Sequence, residues 1–370
     1  MDRAWIDGRP AAEADALAAA AELLERSRQP FVGGLRTDVS GIRAALGLAR
    51  RIGAIVDHGE SDAIYPLLTA LRDGGAFLGA PAEMKRRADR VLVLGDEVAK
   101  VAPDLLAMLT ETEPDLGVRT RGDAREFRSL CRAPLDSAGR GRAEHVDCAP
   151  EDIVDVVGLV RAKLSGRRAG EGAVGGDAVA GLAEFLKGAG FAAVVFAPAE
   201  LGALGTEQVF GLVSDLNETT RASTLPVSAS TNAMGAALQG AWTSGFPLRV
   251  GFGRGAAEHD AALFSARRQL SGDGEADLAL IVDALAEPGA GGPPCALPQI
   301  AVTSEPGAVE GARVTFAVGA AGCDHDAVFY DARFGSFVGR PADAKSELPT
   351  AAAILDALAD RLGGRVADAA

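Results

Sequence analysis

Between Pro30 and Gly95 short apolar runs alternate with stretches of helical periodicity, and this alternation constrains the fold more than any other feature of the chain. Pro30-Phe31-Val32-Gly33-Gly34, Ala54-Ile55-Val56 and Val91-Leu92-Val93-Leu94 are the strand-like runs. The last is continuous, as in a strand buried on both faces of a parallel sheet. Between the first two, Ile42, Leu46 and Ala49 share one helical face, Thr37, Asp38 or Ser40 is placed to cap it, and Gly53 is placed to end it. Gly33-Gly34 reads as a tight turn after the first run. Strand, helix and strand with short connections imply a parallel pair joined by a right-handed crossover. The loop His58–Pro66 follows a strand, which is where α/β sheets place their ligands.

The rest of the chain keeps this alternation. Residues 11–28 read as an amphipathic helix through Leu17, Ala21 and Leu24, and Pro30 ends it. A helix is expected from Leu67 to Asp73, stopped by Gly74-Gly75. Strands are expected around Glu126–Leu130 and Ala143–Val146, and a helix from Pro150 to Leu164 with Glu151 and Asp152 in its first turn. Residues 165–177, Gly-rich and charged, are the best linker candidate. A second series follows, with a helix at Leu182–Leu186, a buried strand at Phe191–Phe196, a helix at Glu207–Asn217 and a strand at Thr224–Val227. Late strands are expected at Leu278–Val282, Gln299–Val302 and Val314–Val318, with a terminal helix at Ala351–Leu362. Glu287–Pro298 carries no such signal. The fold class is α/β with at least two open parallel-sheet regions.

Composition excludes several functions. At 370 residues the chain has room for two ordinary domains. Its 37 basic and 51 acidic residues give a charge of −14, which argues against nucleic acid and against an anionic membrane surface. No apolar run reaches the roughly 18 residues of a spanning helix, and Met1–Trp5 does not resemble a signal peptide, so a soluble, cytoplasmic protein is expected. Cys131, Cys148, Cys295 and Cys323 are scattered, which excludes a zinc ribbon, a redox dithiol motif and a ferredoxin-type run. Cys323-Asp324-His325-Asp326 is the one local ligand-like group, and a polar turn between strands explains it better than a metal site.

The remaining motifs are weak. Gly251-Phe252-Gly253-Arg254-Gly255-Ala256 fits a dinucleotide fingerprint if a helix begins near Ala257. Pro247 interrupts the preceding run, and the next acidic strand end, Asp283, lies further away than the roughly 20 residues the motif wants. Ser228-Ala229-Ser230-Thr231-Asn232 has no base beside it and reads as turns and caps, or as donors for a phosphate or carboxylate. Arg86-Arg87 and Arg267-Arg268 read as solvated faces or subunit contacts.

Pro30–Asp57, Lys85–Gly95, Gly245–Gly255 and the late run Ala276–Val282, in that order, resemble the B subunit of formylmethanofuran dehydrogenase, a molybdopterin/tungstopterin oxidoreductase. The resemblance implies two open, mainly parallel αβα sheet domains. One is discontinuous, 1–60 plus 186–370, and the other, 61–185, is inserted into it. Three departures from the family are specific. No cysteine precedes Cys131, so the family's iron–sulfur cluster and its domain are expected to be absent. Ala63-Ile64-Tyr65-Pro66 stands where the family carries a Cys or selenocysteine metal ligand, and alanine has no thiolate to give. Asp96 and Glu97 place negative charge where a pterin pyrophosphate sits in the family.

With these losses the chain resembles the B subunits of bacterial formyltransferase/hydrolase complexes, which keep the scaffold without redox chemistry. That resemblance implies a structural subunit without catalytic residues, metal or cofactor of its own. Its partners would be an amidohydrolase-type subunit, a formyltransferase subunit and a C subunit related to glutamate synthase. Their complex moves formyl from formyl-tetrahydromethanopterin to methylofuran and releases formate. The old cofactor crevice is expected to be collapsed, filled by side chains, or used for the methylofuran tail through Asn232 and Arg254. The alternative is a pterin- or nicotinamide-dependent oxidoreductase subunit.

Overall fold

The computed structural model describes residues 2–117, 120, 124–135, 142–168, 170, 172–287 and 292–362. In chain order, the first elements are β1 (Ala4–Ile6), β2 (Arg9–Pro10), α1 (Glu13–Arg26), β3 (Pro30–Arg36), α2 (Val39–Ile52) and β4 (Ile55–Val56). A middle series follows: α3 (Tyr65–Gly74), α4 (Pro81–Arg87), β5 (Arg90–Leu94), α5 (Glu97–Val101), α6 (Pro103–Glu111), β6 (Glu126–Cys131) and β7 (Arg142–Asp147). It continues with α7 (Ile153–Leu164), α8 (Gly176–Lys187), β8 (Ala192–Phe196), α9 (Pro198–Leu216) and β9 (Ala222–Pro226). The last series comprises α10 (Ala233–Ser244), β10 (Val250–Gly251), β11 (Glu258–His259), α11 (Ala266–Leu270), β12 (Leu278–Asp283), β13 (Gln299–Thr303) and β14 (Ala312–Ala317). The hairpin strands β15 (Ala327–Asp331) and β16 (Ser336–Arg340) precede α12 (Ala351–Arg361).

These elements form two compact units: Met1–Ser61 with Ser230–Tyr330 and Phe337–Ala370, and Asp62–Ala229 with Asp331–Ser336. The first is built on a nine-stranded sheet in the order β11-β10-β4-β3-β12-β13-β14-β1-β2. Its centre, β4 to β14, is parallel, but β10, β11, β1 and β2 run antiparallel at the flanks. The sheet is therefore mixed, which corrects the expectation of a mainly parallel one. The flanking strands are two or three residues long, too short for any side-chain period to announce them.

Within the parallel centre the local signals behave as read. Asp38 caps α2 by accepting the Gly41 N–H at 2.9 Å, and Gly53 ends that helix at φ +71°. Gly33-Gly34 differs from expectation, because β3 runs on to Arg36 instead of turning. Gly34 sits at φ +73°, and a Cβ there would lie 2.5 Å from the Val282 carbonyl oxygen. The glycine thus serves a close approach to β12, where the ladder shifts register between Ile281 and Asp283. α2 packs against α10 and α12, and α11 closes over Phe31, Ile55 and Ala279.

The second unit carries an all-parallel sheet of five strands, β7-β6-β5-β8-β9. β5 and β8 at its centre are the continuous apolar runs, and all five residues of β8 are buried. β8 and β9 belong to this sheet although they follow residue 185, where the inserted domain was expected to end. Of the linker candidate 165–177, Gly176 and Asp177 already belong to α8, and residues 169 and 171 lie outside the described ones. The expected Glu207–Asn217 helix is the later part of α9, which starts at Pro198 and changes direction at Gly202 (φ +69°). One buried cation organises the helices: Arg125 donates to the carbonyls of Ala88, Lys85 and Met84 at the end of α4, and to those of Leu109 and Thr112 at the end of α6. Apart from the Met84 carbonyl, which also accepts the Ala88 N–H, these are carbonyls left open at the C-terminal ends of the two helices.

Candidate functional crevices

In the first unit, the carboxyl ends of β3, β4 and β12 gather buried charged groups. Arg36, the last residue of β3, uses one Nη1 to hold both oxygens of Asp283 at 2.6 Å. It also donates to the Glu287 carbonyl and lies 3.9 Å from the Glu60 carboxylate. Glu60 in turn accepts the Thr231 N–H at 2.6 Å, just ahead of α10. Asp57, directly after β4, accepts the Ala266 N–H and the Ser61 hydroxyl, both at 2.7 Å, and pairs with Arg249 at 3.4 Å. Arg249 reaches Ser61 as well, at 3.1 Å, and the Ala261 carbonyl. Its left-handed backbone (φ +48°) follows Leu248 at φ +70°, a distortion maintained where the guanidinium turns inward. The crevice is thereby spanned by Arg36–Asp283, Arg36–Glu60 and Arg249–Asp57.

Burial sets the protonation of this network. His58 is fully buried, and burial lowers its pKa from 6.5 to about 3, helped by the positive Arg36 and opposed by the Thr231 backbone. The ring is neutral, with Nδ1 accepting the Glu60 N–H at 3.0 Å. Burial pushes Asp57 the other way, from 3.8 up to about 6, although Arg249, the Ala266 N–H and Ser61 all favour its charged form. Every named group turns toward another part of the same chain, and the set offers no thiolate.

The equivalent place in the second unit is the carboxyl end of β5. Gly95 (φ +88°) turns the chain there, and the N–H groups of Asp96 and Glu97 point at the Glu200 carboxylate, at 2.9 and 3.2 Å. A Cβ on Gly95 would collide with Glu200 Oε2. Burial raises the pKa of Glu200, and the two N–H groups oppose the rise. Asp96 turns its own carboxylate away, to the N–H groups of Arg132 and Ala133 at 3.0 and 3.3 Å. The backbone of Asp96 and Glu97 thus carries an acidic side chain from α9.

The residues singled out in the sequence fall in varied places. Asn232 precedes α10 in a left-handed conformation (φ +64°) and donates to the Thr37 carbonyl at 2.6 Å, so it borders the crevice. Arg254 lies apart from that hydrogen-bonded set, 82% exposed and 3.3 Å from Glu258. Gly251–Ala256 does not open a helix. It leaves the antiparallel strand β10 and returns through β11. The fingerprint therefore lacks the helix N-terminus that a dinucleotide pyrophosphate needs, which overturns the nicotinamide reading. Ser228–Thr231 forms the approach to α10. Cys323–Asp326 is a turn in which Asp324 accepts the Ala320 N–H at 2.8 Å, and no group of three metal-binding side chains occurs among the described residues. Ala63 ends a 3-10 turn at Ser61–Ala63. Sequence reading missed Arg36, Asp57, Glu60, Arg249, Asp283 and Glu200. Their one signal was position, since Arg36, Asp57 and Asp283 are charged residues at strand ends.

No family model matches the chain. The B subunit of a tungsten-containing formylmethanofuran dehydrogenase from Methanocaldococcus jannaschii is 27% identical over 280 residues, covering 73% of this chain and 63% of that protein. The B subunit of the formyltransferase/hydrolase complex of Methylorubrum extorquens is 36% identical over 365 residues, 97% of this chain and 98% of that protein. The crystal structure of that organism's formyltransferase/hydrolase complex with methylofuran contains a chain that superposes with a TM-score of 0.86 at 35% identity, covering 97% of this chain and 98% of its own length. Fold and crevices define an α/β protein related to the B subunit of formylmethanofuran dehydrogenase. Within that class, the chain belongs to the family of B subunits of formyltransferase/hydrolase complexes.

Proposed function

We propose that this chain is a structural, non-catalytic subunit of a cytoplasmic formyltransferase/hydrolase complex. Its companions are an amidohydrolase-type subunit, a formyltransferase subunit and a glutamate synthase-like C subunit. Together they transfer formyl from formyl-tetrahydromethanopterin to methylofuran and release formate. The scaffold is of the molybdopterin oxidoreductase type. One observation carries this reading: at the carboxyl ends of both sheets, where such folds hold ligands, the chain's own carboxylates Glu60 and Glu200 accept the backbone N–H groups. Ala63, in place of a thiolate ligand, points the same way.

Co-expression of the four subunits tests the proposal. All four are expected to purify together, and leaving out this chain should abolish the assembled complex. A complex that assembles and turns over unchanged without it would contradict the reading. Arg254, being exposed, supports a secondary role in meeting carboxylates of the methylofuran tail. Methylofuran retention that is unaltered in an Arg254→Ala complex would remove that role.

A further inference from the structure

We infer that the crevice of the first unit holds ordered, structural water molecules bridging its charged network. Arg36 Nε, Asp57 Oδ1, His58 Nε2 and Asn232 Oδ1 are buried and make no well-formed hydrogen bond within the chain, and all four belong to this one region. Their neighbours explain why each needs an outside partner. Asp57 Oδ2 already takes the Ser61 hydroxyl and the Ala266 N–H, and the adjacent His58 N–H favours the carboxylate without making a well-formed bond to Oδ1. His58 Nδ1 accepts the Glu60 N–H, so the proton of the neutral ring sits on Nε2, where the Thr231 backbone is its neighbour but not in the geometry of a well-formed hydrogen bond. Asn232 donates Nδ2–H to the Thr37 carbonyl; turning the amide over would set oxygen against oxygen, so Oδ1 stays an unmet acceptor. The Arg36–Glu60 contact of 3.9 Å is too long for a direct hydrogen bond, and a gap of that kind suits an intervening water.

The ligand's chemistry follows from the set. Two donors, Arg36 Nε–H and His58 Nε2–H, stand with two acceptors, Asp57 Oδ1 and Asn232 Oδ1. An anion would meet Asp57 and Glu60, and a cation would meet Arg36 and Arg249, so the occupant is small, neutral and able both to donate and to accept. Water meets these terms and is the ordinary partner of buried polar groups.

This inference rests on the reading that the crevice is no cofactor site, and its test separates the two. A crystal structure of the assembled complex, at a resolution that shows solvent, is expected to place water oxygens about 2.7–3.2 Å from Asp57 Oδ1, His58 Nε2 and Asn232 Oδ1. Side chains rotated to bond one another directly, with no solvent density between them, would overturn the inference and leave the structural role standing. Water at these positions in a protein that never joins the other subunits would uphold the inference and overturn the role. Density for a metal or a pterin would overturn both.

Discussion

His58 and Asp57 are neighbours whose burial acts on stability with opposite signs. His58 titrates near 3 in the folded protein against 6.5 ordinarily. The unfolded chain therefore takes up its proton first, and the stability is lost as pH falls from about 6.5 toward 3. Asp57 titrates near 6 against 3.8. Its contribution is present below 3.8 and is lost as pH rises through 6. The His58 shift is the larger, so the urea midpoint should fall between pH 6.5 and pH 4. His58→Gln should flatten or reverse that slope, and an unchanged slope would disprove the assignment. Asp57→Ala should be costlier at neutral pH, because the Ser61 hydroxyl and the Ala266 N–H lose their buried acceptor, a loss of about 1–3 kcal/mol readable by equilibrium unfolding.

Among the elements, α4 and α6 depend on Arg125, whose guanidinium bonds five carbonyls. Burial lowers its pKa to about 10, so it stays charged at neutral pH. Arg125→Met should destabilise the second unit by about 3 kcal/mol or more, since several helix-end carbonyls lose a charged donor. Arg125→Lys should fail to rescue it, because one ammonium cannot span both helix ends. Equal stability of the Lys variant and the natural protein would refute this geometry. At the β5 turn, Glu200→Ala should cost about 1–3 kcal/mol by freeing two N–H groups, and Glu200→Gln should cost less because its carbonyl still accepts. Thermal unfolding of the two variants measures the difference. The central strands were legible because β5, β8 and β12 are continuous apolar runs with glycine or charge near their ends. Arg125, Glu200 and Arg249 were not legible, since each finds partners far along the chain and no local spacing signals such a pair. The flanks β10 and β11 hid for another reason: two residues have no period.

At the scale of the whole molecule, family membership and the two crevices filled by the chain's own side chains go with a scaffold related to the formylmethanofuran dehydrogenase B subunit. The order of motifs from Pro30 to Val282 made the family legible in the sequence, and Ala63 pointed to lost chemistry. How the crevices are filled required coordinates, because Glu60 meets Thr231 and Asp57 meets Arg249 only after the sheet has formed. On the proposed function, this chain contributes architecture and no redox cofactor to its complex. The most direct test is metal and pterin analysis of the purified complex, set against the amount of this chain. No molybdenum, tungsten or pterin that scales with it is expected. One equivalent of metal and pterin per copy of the chain would overturn the structural role.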